Sequence, residues 1–278
     1  MAQAERFGRV VGGDDAGINL AEAALLIAAE DYRELDVAAY LAQLDDMAAV
    51  LKRRLRPDIS QADTIIALNR FLFDEHGFAG DPENYYDVRN SFLNEVLDRK
   101  RGIPITLAVV YIEIGRRIGL PVQGVSFPAH FLVKCPLREG TVVVDPYAKG
   151  ASLSFDDLRQ RVKALRNGVT PTRSMVAEML AAASNKEIIM RILRNLKGIY
   201  WNQKEWAKAL RATDRIINVM PDQAEEYRDR GMIYLNLECF RAALFDLQSY
   251  LTMLPVARDA DSVRKQVIEL QAVAARLN

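Results

Sequence analysis

Apolar residues recur along the first third of the chain at the spacing of amphipathic helices. Leu20, Ala24, Ile27 and Ala28 mark one face, and Leu41, Leu44, Ala48, Leu51 and Leu55 mark the next before Pro57 closes it. Ile65, Ile66, Leu68, Phe71 and Leu72 carry a third helix to a stop near His76-Gly77. Residues 17–76 are therefore expected to form a helical layer. Residues 1–16, which end in Gly12-Gly13-Asp14-Asp15, are expected to be a flexible arm. Turn residues fill 77–86, read as a surface loop packed by its own tyrosines, and Asn90–Leu97 reads as a short helix running into the basic stretch Arg99-Lys100-Arg101.

The pattern changes at Arg101-Gly102-Ile103-Pro104. Glycine and proline open the stretch and apolar side chains follow on every side, so a helix that starts abruptly at Pro104 and is buried all round is predicted. Its end is marked by Arg116-Arg117-Ile118-Gly119, cations followed by glycine. Three short β-rich runs come next, Val122–Phe127, Phe131–Cys135 and Thr141–Val144, with a turn at Arg138-Glu139-Gly140. They predict an antiparallel meander. Ser154, with an acid three residues on at Asp157, begins another helix.

Residues 166–174 read as a linker, after which the chain is wholly helical and repeats itself. Tyr200, Trp206, Ala209, Leu210 and Pro221 recur 34 residues later as Tyr234, Phe240, Ala243, Leu244 and Pro255. That period resembles the tetratricopeptide repeat. The second copy fits better, while the first has Lys197 where a small residue is usual. Two repeats and a final helix from Val263 to Leu277 would stack as a small solenoid. The expected organisation is an arm over 1–16, an α+β domain over 17–165, a linker over 166–174 and an all-α repeat domain over 175–278.

Composition narrows the function. Lysine plus arginine (37) balances aspartate plus glutamate (37), and a net charge of zero makes no case for nucleic acid or an anionic membrane as partner. Cys135 and Cys239 lie far apart without paired spacing, which argues against a disulfide framework or a structural zinc and for reduced thiols in the cytoplasm. The N-terminus lacks the apolar core of a signal peptide, and no apolar run reaches the length of a membrane span. Gly12-Gly13 precedes no strand–helix unit, so no phosphate-binding loop is indicated.

Of the two histidines, His76 ends a helix, where partnership with the helix dipole is the simpler reading. His130 differs, because it opens a predicted strand and Asp145 ends the next one. A hairpin turning at 138–140 brings the two within reach, carboxylate to imidazole. A buried helix start, then histidine, then aspartate on the next strand is the order of papain-like and transglutaminase-like folds. Asn90–Leu97, Arg101–Leu107, Pro128–Val133 and Asp145-Pro146-Tyr147 resemble the bacterial SirB family, which joins a transglutaminase-like domain to C-terminal tetratricopeptide repeats.

The resemblance implies that His130 and Asp145 occupy two positions of a catalytic triad and that Pro104 stands at the third, the nucleophilic cysteine. Proline supplies neither a nucleophile nor an N–H. Cys135, five residues from His130 on one predicted strand, faces the opposite side. Thr106 would reach the site only if the helix were rotated, and Ser91 is a second hydroxyl with no derived geometry. The expectation is a non-enzymatic interaction and regulatory protein whose repeats bind a protein or peptide partner, with no cofactor and no metal. The alternative is a hydrolase or acyltransferase that uses His130 and Asp145 with Thr106 or Ser91.

Overall fold

The structure, a computed structural model, describes residues 3–276 apart from Glu139. Two compact units are formed, Met1–Ile192 and Leu193–Asn278. No helix among the described residues is long and apolar enough to cross a membrane.

The first unit is built around a buried helix. Helix α1 (Gln3–Val11) packs on α2 (Leu20–Ala28), whose residues other than Glu22 have little but apolar surface to bury and are all buried. Asn19 caps α2 by accepting from Glu22 N at 3.0 Å. Around α2 lie α3 (Val37–Arg54), α5 (Leu93–Arg99) and α6 (Pro104–Arg117), with α4 (Gln61–Asn69) continuing as a π-helical turn, Arg70–Glu75, up to Gly77 at φ +72°. Every residue from Pro104 to Gly115 is buried, as the apolar run demanded. Lys100, in the left-handed conformation, ends α5 and turns the chain into β2 (Arg101–Gly102), which pairs in parallel with β1 (Ala79–Gly80).

A four-stranded antiparallel sheet follows in simple order: β3 (Gln123–Val125), β4 (Leu132–Leu137), β5 (Gly140–Asp145) and β6 (Ala151–Leu153). Leu137 pairs with Gly140, so the hairpin turns where the sequence placed it, with Glu139 itself outside the described residues. Strands β1, β2 and β6 were not foreseen, since two or three residues cannot display alternation. Helix α7 (Phe155–Leu165), started by a Ser154–Asp157 capping box, buries Leu158 and Val162 with Val125, Phe127 and Leu132.

Two of the predicted boundaries are corrected. The arm is helix from Gln3 onward: Phe7 and Val11 are buried, Arg6 donates twice to Glu22 at 2.9 and 2.7 Å, and the Asp15 carboxylate accepts from the backbone N–H groups of Asn185 and Lys186 at 3.0 and 2.8 Å. Phe7 and Val11 lie one helical turn apart and form an apolar stripe that the glycines and acids after it obscured. The linker at 166–174 is not a boundary either. Helix α8 (Arg173–Met179) begins inside it and Val176 joins the sheet's core, so the first unit runs to Ile192, within α9 (Asn185–Asn202). Polar, turn-rich composition marks a loop within a unit as well as a loop between units.

In the second unit, which takes in the end of α9, the helices α10 (Trp206–Val219), α11 (Ala224–Asn236), α12 (Phe240–Met253) and α13 (Ala260–Arg276) stack in sequence, each on the next. Ala243, Leu247, Tyr250, Val263, Val267 and Leu270 form its core. Gly231 lets α11 and α12 approach closely, since a Cβ there would lie 2.8 Å from Leu247. Lys197, the departure from the repeat pattern, is buried and reaches Glu226 and Asp229 at 2.6 Å each, so an ion cluster replaces small-residue packing at that point.

Candidate functional site

The start of α6 is fixed by its neighbours. Pro104 occupies the first helical position, where a missing N–H leaves no bond unmade. Ile103 before it has no side-chain acceptor, so only the return half of a capping box forms: Ile103 N–H donates to Thr106 Oγ1 at 3.1 Å. The same hydroxyl donates to the Asn90 carbonyl at 2.7 Å. Gly102 leaves room for this hydroxyl, because a Cβ there would sit 2.8 Å from Thr106 Oγ1.

Asn90 is a hub that sequence reasoning did not single out. Its Nδ2 donates to Asn84 O at 2.8 Å and Asp81 Oδ2 at 3.2 Å, and its Oδ1 accepts from Arg99 at 3.2 Å. These bonds pin the 77–86 loop to the start of α6. Ser91, next to it, is buried, and its hydroxyl has no hydrogen-bond partner among the described residues.

His130 lies in a turn just before β4, a correction to its expected place as the residue that opens the strand. Its N–H donates to Phe127 O at 3.0 Å, and Ala129 between them adopts φ +55°. Pro128 at the second position and a left-handed third position make this a type II-like turn, one in which alanine stands where glycine is favoured. The pairing of Val133 with Val144 sets the register that brings His130 Nε2 to 2.9 Å from Asp145 Oδ1.

Asp145 is 2 % exposed and is held from three further directions. Tyr147 N–H and Ala148 N–H donate to Oδ1 at 3.1 and 3.3 Å, and Arg161 Nη1 of α7 donates to Oδ2 at 2.9 Å. Burial alone would raise this carboxyl; the hydrogen bond and charge of His130, then those of Arg161, outweigh it and hold the group below the usual carboxylate range. Since an ionised carboxylate only accepts, the network assigns the proton to His130 Nε2 and leaves Nδ1 unpartnered among the described residues. The Tyr147 ring meets His130 edge-on at 6.0 Å and lies so close over Gly80 that a Cβ there would be 2.4 Å away. Tyr85 and Tyr86 extend the row of rings outward at 6.3 and 5.2 Å.

The four expected site residues thus divide. His130 and Asp145 are joined directly. Pro104 begins α6, which packs along β4 and the 146–148 turn. Neither the Thr106 nor the Ser91 hydroxyl bonds to His130, and Thr106 is committed to the backbone on both its donor and acceptor sides. A hydroxyl without an adjacent base is a poor nucleophile. Cys135 pairs with Val142 inside the sheet, with its thiol pushed up to about 11 by burial. Among the described residues no group of three or more His, Cys, Asp or Glu is placed to hold a metal. Arg161 was missed, because nothing in its spacing along α7 signals a partner two elements away.

Thr106→Val should lower stability by about 1–3 kcal/mol, since it leaves the Ile103 N–H and the Asn90 carbonyl buried and unpaired, while Thr106→Ser should keep most of it. Urea unfolding of the two variants beside wild type reads this directly. A loss in Thr106→Ser with none in Thr106→Val would mean that the methyl, not the hydroxyl, is what matters at position 106.

Comparison with known proteins adds two family matches. The transglutaminase-like superfamily matches residues 38–194, and the tetratricopeptide repeat matches residues 196–267. The chain is similar to a UPF0162 protein of Xylella fastidiosa (strain Temecula1), 40% identical over 261 residues that cover 92% of each chain. A UPF0162 protein of Vibrio cholerae is 33% identical over 72% of this chain and 73% of its own. Protein SirB1 of Salmonella typhimurium is 26% identical over 81% of this chain and 82% of its own.

Proposed function

Because the chain belongs to the transglutaminase-like family of the UPF0162 and SirB1 proteins, with tetratricopeptide repeats after that domain, we propose that it is a non-enzymatic, regulatory interaction protein of the cytoplasm. In this reading the first unit keeps the histidine and aspartate of a triad without its nucleophile, and the second holds a protein or peptide partner. The observation that carries it is Pro104 at the first position of α6, where the resembled enzymes place the attacking cysteine. The engagement of the Thr106 hydroxyl supports it further, since the most obvious substitute nucleophile is already spent on the backbone.

The test compares folded wild type with His130→Ala in assays of amide, ester and transamidation turnover and in capture of partners from lysate. Neither protein is expected to turn over any of the three classes, and both should retain the same partner. Turnover by the wild type that disappears in His130→Ala overturns the reading in favour of a hydrolase or acyltransferase.

A further inference from the structure

The Asp145 carboxylate has more donors than the orientation of one imidazole requires. In a histidine–aspartate couple that works as a base, the carboxylate's charge stabilises the imidazolium formed when the histidine takes a proton. Here Oδ1 is shared between His130 Nε2 and two backbone N–H groups, and Oδ2 is given to a guanidinium at 2.9 Å. We propose that Arg161 is a positioning residue of this couple: it fixes the carboxylate with Oδ1 towards the ring and shares its charge, which weakens the couple as a base.

The groups around His130 come from separate elements. Asp145 faces it from the end of β5, Arg161 stands behind that carboxylate on α7, and Tyr147 meets the ring from the 146–148 turn, itself within the fields of Tyr85, Asp81 and Asp145. Among the described residues, Arg161 brings the one cation bonded to Asp145 besides His130 when protonated. Its side chain is 36% exposed, so its effect is screened but not abolished. In the ordinary triad logic the aspartate is left free to answer the histidine; here part of that answer goes to α7. Loss of the nucleophile at 104 and diversion of the Asp145 charge are thus two separate departures from a working site. The inference rests on the proposed function only in taking the couple as non-catalytic.

The chain has two histidines, so their ring signals are separable by NMR, with His130→Ala identifying which is which. The quantity read is the change in the His130 titration midpoint between variants of the full chain, with His76 as internal reference. Arg161→Gln should move the midpoint upward, because the cation on the far side of the Asp145 carboxylate is removed and Asp145 is left to His130. Arg161→Lys, which keeps a charge without the guanidinium fork, should fall between wild type and Arg161→Gln. A folded Arg161→Gln protein whose His130 midpoint is unmoved overturns the proposal, whatever its melting temperature does, since that is the result of a merely structural arginine. If Arg161→Gln does not fold, Arg161→Lys is read alone: a smaller rise supports the proposal and none overturns it. Turnover in the assays above would sink the functional reading and leave this measurement standing, so the two failures are distinguishable.

Discussion

Asp145→Ala is expected to destabilise the first unit by about 2–4 kcal/mol at neutral pH. The substitution strips acceptors from His130, Arg161, Tyr147 N–H and Ala148 N–H at once. The two side chains can turn partly to water, which keeps the figure below that of a fully buried pair, but the backbone donors that start the 146–148 turn cannot. Acid should remove the same contribution from the wild type. The carboxyl is held below its ordinary value in the folded state, so its stabilisation is present above the unfolded value of about 3.9 and is lost as pH falls through the folded one. Hydrogen-exchange protection of the β4–β5 hairpin between pH 7 and pH 3 therefore should fall in the wild type below about pH 4. In Asp145→Ala it should start lower and change less over that window. Parallel curves for the two proteins would show that Asp145 contributes nothing that titrates.

The fold was legible where side chains report their surroundings along the chain itself. The continuous apolar run after Pro104 announced a helix buried all round, and residues 104–115 are all buried. The β-rich runs on either side of Arg138-Glu139-Gly140 announced the hairpin, and its register brings His130 and Asp145 together. What escaped depends on contacts between distant segments. The carboxylate of Asp15 caps a helix that begins 170 residues later, and neither end carries a mark of the other. Asn90 and Arg161 are polar residues whose partners belong to other elements, and a polar residue on a helix looks the same whether it meets water or a buried carboxylate. The linker failed for a related reason: turn chemistry is local, whereas a unit boundary is set by which side Val176 packs against.

In the second unit the largest single loss should come from Arg230→Ala. Arg230 on α11 grips Asp246 of α12 with two parallel bonds, Nε to Oδ2 at 2.6 Å and Nη2 to Oδ1 at 2.8 Å, and reaches Asp214 of α10 with Nη1 at 2.9 Å. Three helices thus meet on one guanidinium, and the hydrogen bonds to Asp246 hold it charged, well above an already high ordinary value. The Asp246 side chain is 2 % exposed. Without Arg230 it is an uncompensated buried charge, a situation that costs about 3–5 kcal/mol. Arg230→Lys keeps a point charge but not the fork, so it should recover only part of that. Both tryptophans, Trp201 and Trp206, lie in this unit and pack edge-to-face, so their fluorescence during urea unfolding reports on it without contribution from the first unit. Arg264→Ala serves as the control, because its partners are the 93% exposed Asp261 and the exposed Pro255 carbonyl, and a surface pair of this kind contributes about 0–1 kcal/mol. If Arg230→Ala and Arg264→Ala shift the transition equally, the Asp246 charge is not what Arg230 supports. If Arg230→Ala alone collapses it, capture of a partner should fail in that variant while His130→Ala retains it, since the first substitution removes the arrangement of α10, α11 and α12 that a repeat surface requires and the second leaves it intact.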